Sequence, residues 1–455
     1  MPTDTKRRAR RNVTLPTLPG SPATKGPAAT KGTQPRKPDR RSQRCPATVK
    51  SVIPTAASRR TVDLLDPEFY RSNPQDTWTW MRANEPVYRD ERNGLWGISR
   101  HADAIFVERR AELFPSQHSY RAISTPTEMN MIAQDDPGHK QQRMLVQRFF
   151  APGVLAKREH ELRQTVRELI DSIIGQPGER KGERITFEVI NAIVGRLPAI
   201  LTCRLLGYPD DAWPTLRTWS EQLMRTDMRD RSGAILVDFV RANMSLRSSV
   251  KEMIDEKRRA PADDLLTVWA HAELGGAPMP FDSIFHEVGL FVSGGSETTR
   301  TTIAHGLRTF VDHPEQWELL HQNPSLVDSA VEEIFRWVTP LNNFFRRCMA
   351  PTELGGQTIG LGDRVILLYP SANRDEAVFA DPFRFDITRS PNPHISFGNG
   401  PHTCIGAPLA RLTMRALFTE LAARITDLQV STEPDVEANI FARAVRRFDL
   451  DVAVR

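Results

Sequence analysis

From about residue 61 onward, apolar positions recur mostly at the spacing of an α-helix. Leu162, Val166, Leu169, Ile170, Ile173 and Ile174 follow one another at intervals that put one apolar stripe along one face, which predicts an amphipathic helix buried on that side. Similar stretches predict helices near 186 to 206, 213 to 257, 283 to 312, 326 to 338 and 405 to 426. Strand-like runs are few and short. Val87-Tyr88 and Leu95-Trp96-Gly97-Ile98 flank Asn93-Gly94, a hairpin signal. Gly356-Gln357-Thr358-Ile359 and Arg364-Val365-Ile366-Leu367-Leu368 flank the turn at Gly360-Leu361-Gly362. The pattern predicts a mainly α fold, a large helical domain with a small β-sheet region.

Charge is unevenly placed. Residues 1–60 hold 15 of the 61 Lys and Arg but only Asp4 and Asp39, so this stretch is +13 and the remainder of the +5 chain is −8. Nine of the 34 prolines lie there too, beside the near-repeat Ala23-Thr24-Lys25-Gly26 and Ala29-Thr30-Lys31-Gly32. With few large apolar residues it cannot bury a core, and a disordered basic tail over 1–60 is expected, followed by one domain over 61–455. The run Lys6-Arg7-Arg8-Ala9-Arg10-Arg11 would attract any phosphate surface, but nothing in it specifies nucleic acid. No apolar run approaches the ~18 residues that span a bilayer, and no apolar segment of signal-peptide type follows the basic start. A cytoplasmic protein is expected.

Four widely separated cysteines, Cys45, Cys203, Cys348 and Cys404, show neither zinc nor redox spacing. One of them stands out. Phe397-Gly398-Asn399-Gly400-Pro401-His402-Thr403-Cys404-Ile405-Gly406 is a glycine-rich loop that delivers Cys404 to the start of an apolar helical run. Backbone N–H groups at a helix start stabilise a thiolate as they stabilise anions, and glycines let the backbone close around the sulfur.

That loop resembles the haem-binding segment of the cytochrome P-450 family, Phe-Gly-x-Gly-x-His-x-Cys-x-Gly, at all six named positions. The resemblance implies haem b with Cys404 as axial ligand, and Phe397, Gly398, His402 and Gly406 around it. A thiolate ligand pushes electron density toward the trans position and favours O–O cleavage. Three further segments match in the family's order. Glu333-Ile334-Phe335-Arg336 carries acid and base on one helical face, and by resemblance Arg384 completes a structural trio with Glu333 and Arg336. Gly294-Gly295-Ser296-Glu297-Thr298 lies mid-helix, where paired glycines are costly. It resembles the family's oxygen-binding kink, which implies that Thr298 hydrogen-bonds dioxygen and its water while Glu297 relays protons. In Asp136-Pro137-Gly138-His139-Lys140-Gln141-Gln142-Arg143, His139 and Arg143 share a helical face; by resemblance they meet one haem propionate, and His402 with Arg346 the other. Arg347 is the rival to Arg346.

The resemblance spans nearly everything after residue 61 and is strongest to actinobacterial members that hydroxylate steroid side chains and isoprenoid termini. It implies a monooxygenase that inserts one atom of O2 into a C–H bond of a hydrophobic substrate, with electrons from a ferredoxin and ferredoxin reductase, the ferredoxin docking near Arg411 and Arg415. The substrate pocket is expected around Ser119 to Met131, Trp213 to Met228, Phe291, Val292 and Leu341 to Phe344, which are mostly apolar or small. Two alternatives fit these residues less well. A peroxide-driven peroxygenase sits poorly with an intact Glu297-Thr298 pair, and a non-catalytic haem-binding sensor would have no use for a proton relay.

Overall fold

The computed structural model describes residues 60–118, 120–122, 128–225 and 233–455; the stretch 1–59, with the expected tail and Cys45, lies outside them. The fold starts where the apolar pattern starts. α1 (Pro67–Arg71) and α2 (Gln75–Asn84) lead into the hairpin β1 (Val87–Asp90) and β2 (Leu95–Ile98), followed by α3 (His101–Glu108). Asp66 caps α1 by accepting the Glu68 N–H, with Pro67 in the first turn. Gly94, at φ +62°, makes the hairpin turn that Asn93-Gly94 predicts.

α4 (Gly138–Val146) and α5 (Pro152–Ile174) come next, and Leu162, Val166, Leu169, Ile170 and Ile174 of the predicted stripe are buried. The two regions after it differ from expectation. In place of one helix over 186 to 206 there is β3 (Arg184–Glu188), a π-helical turn at Ile190–Val194 and α6 (Arg196–Leu206). The stretch 213 to 257 holds α7 (Trp213–Met224) and α8 (Ala234–Arg259), with Gly233 at φ +77° before the second. Then come α9 (Leu265–Ala270), the short pair β4 (Glu273–Leu274) and β5 (Ala277–Pro278), and α10 (Phe281–Asp312), about 48 Å long at 1.5 Å per residue. α11 (Pro314–Gln322) and α12 (Val327–Val338) follow. β6 (Asn343–Arg347), β7 (Thr352–Leu354), β8 (Gln357–Ile359), β9 (Arg364–Leu368) and α13 (Tyr369–Ala372) lead to α14 (Ala407–Arg424), β10 (Ile425–Val436) and β11 (Val445–Val454).

The largest sheet has the order β1-β2-β9-β6, with β9 parallel to β2 and antiparallel to β6; a second has the order β10-β11-β3 and is antiparallel throughout; β4-β5 and β7-β8 are two-stranded. The main core forms where α5, α10, α12 and α14 turn apolar faces to one another, through Ile170, Ile303, Leu307, Ile334 and Phe418. A second cluster joins α6, α7, α8 and α9 to the first half of α10 through Leu206, Trp219, Leu246, Trp269 and Phe291. Buried on most sides, α10 carries apolar and polar residues alike into the interior. It is the element against which the site is built.

Candidate active site

The segment 397–406 turns sharply because Gly398 and Gly400 take φ +70° and +74°. A Cβ on Gly400 would lie 2.5 Å from the Glu108 carbonyl oxygen, so this loop packs on the end of α3 at backbone distance. The Cys404 N–H donates to Phe397 O at 2.8 Å, closing the loop, and α14 begins at Ala407. Burial pushes the Cys404 thiol up, while the Gly406 and Ala407 N–H groups and the Arg143 and Arg411 guanidinium groups pull it back toward the thiolate. Cys203, by contrast, is pushed up to about 12 by burial and two nearby aspartates.

Cys404 opens into an interior cavity. Across it stands α10, presenting Gly294, Gly295 and Thr298. Nothing lies within 4 Å of where a Gly294 Cβ would be, while one on Gly295 would meet Thr202 Oγ1 at 3.0 Å. The helix is continuous from 281 to 312, without a break at the glycine pair. What exists is a loosening of another kind: Thr298 Oγ1 donates back to Gly294 O at 2.7 Å, and Ser293 and Thr302 make the same bond one turn back.

Glu297 does not line the cavity. It is buried and paired with Arg300, and Arg300 also pairs with Glu221 from α7. Arg446 Nη1 stands 3.8 Å from Glu297 and 3.7 Å from Glu221, and Arg446 also bonds Glu437. The Glu221 carboxyl, which burial alone would raise, is held down to about 2 by Arg300, Arg446 and Arg217. The acid and the alcohol of α10 thus face different surroundings.

His139, Arg143, Arg346 and His402 all reach the cavity wall, whereas Arg347 turns away and donates to Gly362 O at 3.3 Å. Arg143 donates to Thr403 O at 2.7 Å, and Arg346 to Phe345 O at 2.7 Å. The rings of His139 and His402 are 4.3 Å apart, side by side on the cavity wall. Burial lowers the His402 pKa, Arg346 and His139 lower it further, and Asp135, 3.7 Å away, opposes them. His139 Nε2 is buried with no partner among the described residues.

The trio below the loop needs one correction. Glu333 and Arg336 pair inside the core, both fully buried, with both carboxylate oxygens bonded at 2.7 Å. Arg384 does not complete it: its side chain is 65% exposed and nears only Asp386, at 3.9 Å. Arg389 takes that place, donating to Glu333 at 3.1 Å, while Arg384 contributes its carbonyl to Arg336 and Arg389. Arg411 also differs from expectation, because it is held by Glu332 at 2.7 Å and lies over the Phe397 ring.

Of the expected substrate wall, Tyr120, Arg121, Met131, Met224, Phe291, Leu341 and Phe344 line the cavity; Val292 and Trp213 do not. Ser119, 123–127 and 226–228 lie outside the described residues. Sequence reasoning missed Phe441, Leu201, Leu205, Glu108 and Tyr369, which also line it. An acid ending the buried face of α3 was the one readable signal among these.

A cysteine on a closed loop, opposite a glycine pair and an alcohol on a long helix, with cations gathered at the rim, is a haem-thiolate arrangement. The family pattern described as Cytochrome P450 matches residues 103–437. The chain belongs to the cytochrome P450 family. As a cytochrome P450 it is an oxidoreductase, a monooxygenase that incorporates molecular oxygen, and the family implies haem on a cysteine thiolate. It is 34% identical over 379 residues to the "Steroid C26-monooxygenase" of Mycobacterium tuberculosis, covering 82% of this chain and 92% of that protein. It is 31% identical over 389 residues to the "Linalool 8-monooxygenase" of Pseudomonas putida, covering 82% and 94%. A Mycobacterium marinum cytochrome P450 solved in complex with pseudoionone superposes with a TM-score of 0.78 at 29% identity, covering 87% of this chain and all of that one. None of the described helices is long and apolar enough to cross a membrane.

Proposed function

We propose that this cytochrome P450 hydroxylates an apolar molecule, a sterol side chain or an isoprenoid terminus, in the cytoplasm. One observation carries the reading: the cavity that ends on Cys404 is walled above α10's Thr298 by Leu201, Leu205, Phe291, Leu341, Phe344 and Phe441. Such walls reward apolar surface and give a polar substrate few partners. The names of the Mycobacterium tuberculosis, Pseudomonas putida and Mycobacterium marinum relatives point the same way.

The residues fit haem b. A sulfur on the floor, an open face at Gly294, an unpartnered His139 Nε2 and the guanidinium groups of Arg143 and Arg346 match an iron, a flat macrocycle and two carboxylates. When bound, haem supplies oxygen activation. The chain's own part is then threefold. The N–H groups of Gly406 and Ala407 and the Arg143 guanidinium oppose the burial that raises the Cys404 thiol, and would favour the thiolate once an iron is bound. Thr298, on the opposite wall, exchanges its bond to Gly294 O for a bond to a water or to dioxygen in the cavity. Glu297 passes protons toward Thr298 only after turning off Arg300, so the arginine cluster sets when the acid is available.

Electrons come from an acidic ferredoxin, served by its reductase, docking on the side of Cys404. Since Arg411 is engaged by Glu332, Arg415, only loosely paired to Asp328 at 3.5 Å, is the better contact. Arg415→Glu slows ferredoxin-dependent reduction if this is right and leaves it unchanged if not. The substrate is tested by titrating the ferric protein with cholest-4-en-3-one, branched isoprenoids and fatty acids while following the Soret band. A shift at low sterol concentration supports the sterol reading; silence from sterols with a response to another lipid removes it.

A further inference from the structure

Glu108 ends α3 inside the wall of the same cavity. It is 6% exposed and is the one carboxylate of that wall among the described residues. Its Oε1 accepts the Tyr369 hydroxyl from α13 at 2.5 Å, and the Asn399 N–H of the cysteine loop also bonds the carboxyl. Its Oε2 is buried with no partner among the described residues. The packing leaves no slack, because a Cβ on Gly398 would lie 3.1 Å from Oε1.

The groups that face it are few. Arg346 comes from β6 and Tyr369 from α13; His402, beside Asp135 and His139, lines the same cavity and shares Arg346 with it. Arg109, next in the chain, is turned to Asn399 Oδ1 at 2.7 Å. Burial raises the Glu108 carboxyl to about 7, against the opposing pull of the Tyr369 hydroxyl, Arg346 and the Asn399 N–H. It is therefore a proton-binding group in the neutral range, set beside the cations that would receive a haem propionate.

We propose that Glu108 is a further cofactor-contacting residue, which meets a propionate of the haem beside Arg346, the two carboxyls sharing one proton. Two carboxylates at one site cannot both ionise cheaply, and their titration belongs to the pair. One electron entering from the ferredoxin makes the site more negative, so one proton from solvent is drawn onto the pair. Reduction becomes linked to pH. This rests on the haem reading above, and the test separates the two.

The full chain is loaded with haem and its midpoint potential is measured from about pH 6 to about pH 8, either side of the Glu108 value. In the native protein the reduction equilibrium moves by up to tenfold per pH unit, about 59 mV for one electron. Glu108→Gln flattens that slope by more than half and removes a protonated-carboxyl stretching band from the infrared spectrum. Tyr369→Phe, which keeps the acid and deletes a hydroxyl that stabilises its charged form, moves the step to higher pH. A native protein without the slope, or a Glu108→Gln variant that keeps it, assigns any pH dependence to His402 or the propionates alone and overturns the proposal. A chain that shows no thiolate–haem spectrum overturns the cofactor reading instead.

Discussion

Two buried ion clusters flank the cavity, and they are built on opposite plans. Below the cysteine loop, Arg336 makes five hydrogen bonds, to both oxygens of Glu333 and to the carbonyls of Asn373, Pro382 and Arg384. Glu333 accepts in addition from Arg389, Asn392 and the Asp386 N–H. Every donor of that guanidinium has an acceptor. Beside α10, the cluster of Glu297, Arg300, Glu221 and Arg446 leaves Arg300 Nε and Arg446 Nε and Nη1 buried without a hydrogen-bond partner among the described residues. A satisfied network resists change because every alternative loses a bond, whereas an unsatisfied one has somewhere to go. The first lies under the loop that presents Cys404; the second holds Glu297, the acid to which the proposed proton relay is assigned.

The comparison can be broken at several strengths. The largest effect is at the sulfur both sides serve: Cys404→Ser abolishes product formation and the thiolate signature in the ferrous–CO spectrum, and a variant that keeps either refutes the ligand assignment. Next, Glu333→Gln leaves Arg336 and Arg389 buried against a neutral amide, a change of about 3–5 kcal/mol in unfolding free energy by urea titration. A loss below ~1 kcal/mol would mean the lower cluster is not the rigid one. On the α10 side, Thr298→Ala leaves haem and substrate affinity nearly intact, while product per electron consumed falls by roughly 10²-fold. Full coupling in that variant removes the role given to Thr298.

A pH effect separates partnered from unpartnered acids. Glu287 of α10, fully buried and bonded to the Met131 N–H at 2.8 Å, is raised by burial to about 8. A carboxyl raised by folding favours the fold below its ordinary value of 4.5 and withdraws that support as pH climbs toward 8. Glu287→Gln should therefore gain on the native protein in urea midpoint at pH 8 relative to pH 5; equal differences at both would show that Glu287 titrates normally. The smallest effect is at Arg384, whose exposed side chain predicts a change within about 0.5 kcal/mol for Arg384→Ala, against a clear loss for Arg389→Ala.

What the sequence disclosed was local. The hairpin around Asn93-Gly94, the glycines of the cysteine loop and the Glu333–Arg336 spacing are each written within about ten residues, and each appears as read. What it withheld depends on partners far along the chain. Arg384 and Arg389 are both basic, both near Asp386, and only the packed core decides which turns inward. β10 and β11 were not expected as strands, since their register is interrupted by bulges and much of β10 is exposed, which blurs alternation. Glu297-Thr298 is legible as a neighbouring acid and alcohol, but not that the acid faces Arg300 on its own helix and Arg446 from β11.

β3 has a single neighbour in its sheet, β11, and the Phe448 N–H meets Glu188 across 260 residues of sequence. On a ribosome adding about 5–20 residues per second, β3 waits roughly 13–52 s before its partner exists. Through that interval it is an open edge with exposed N–H and C=O groups, while the helices between are already being made. Its sequence, Arg184-Ile185-Thr186-Phe187-Glu188, puts a charge at each end of that edge, and both charges find their distant partners only when the fold closes: Arg184 pairs with Asp427 and Asp451, and Glu188 accepts the Phe448 N–H.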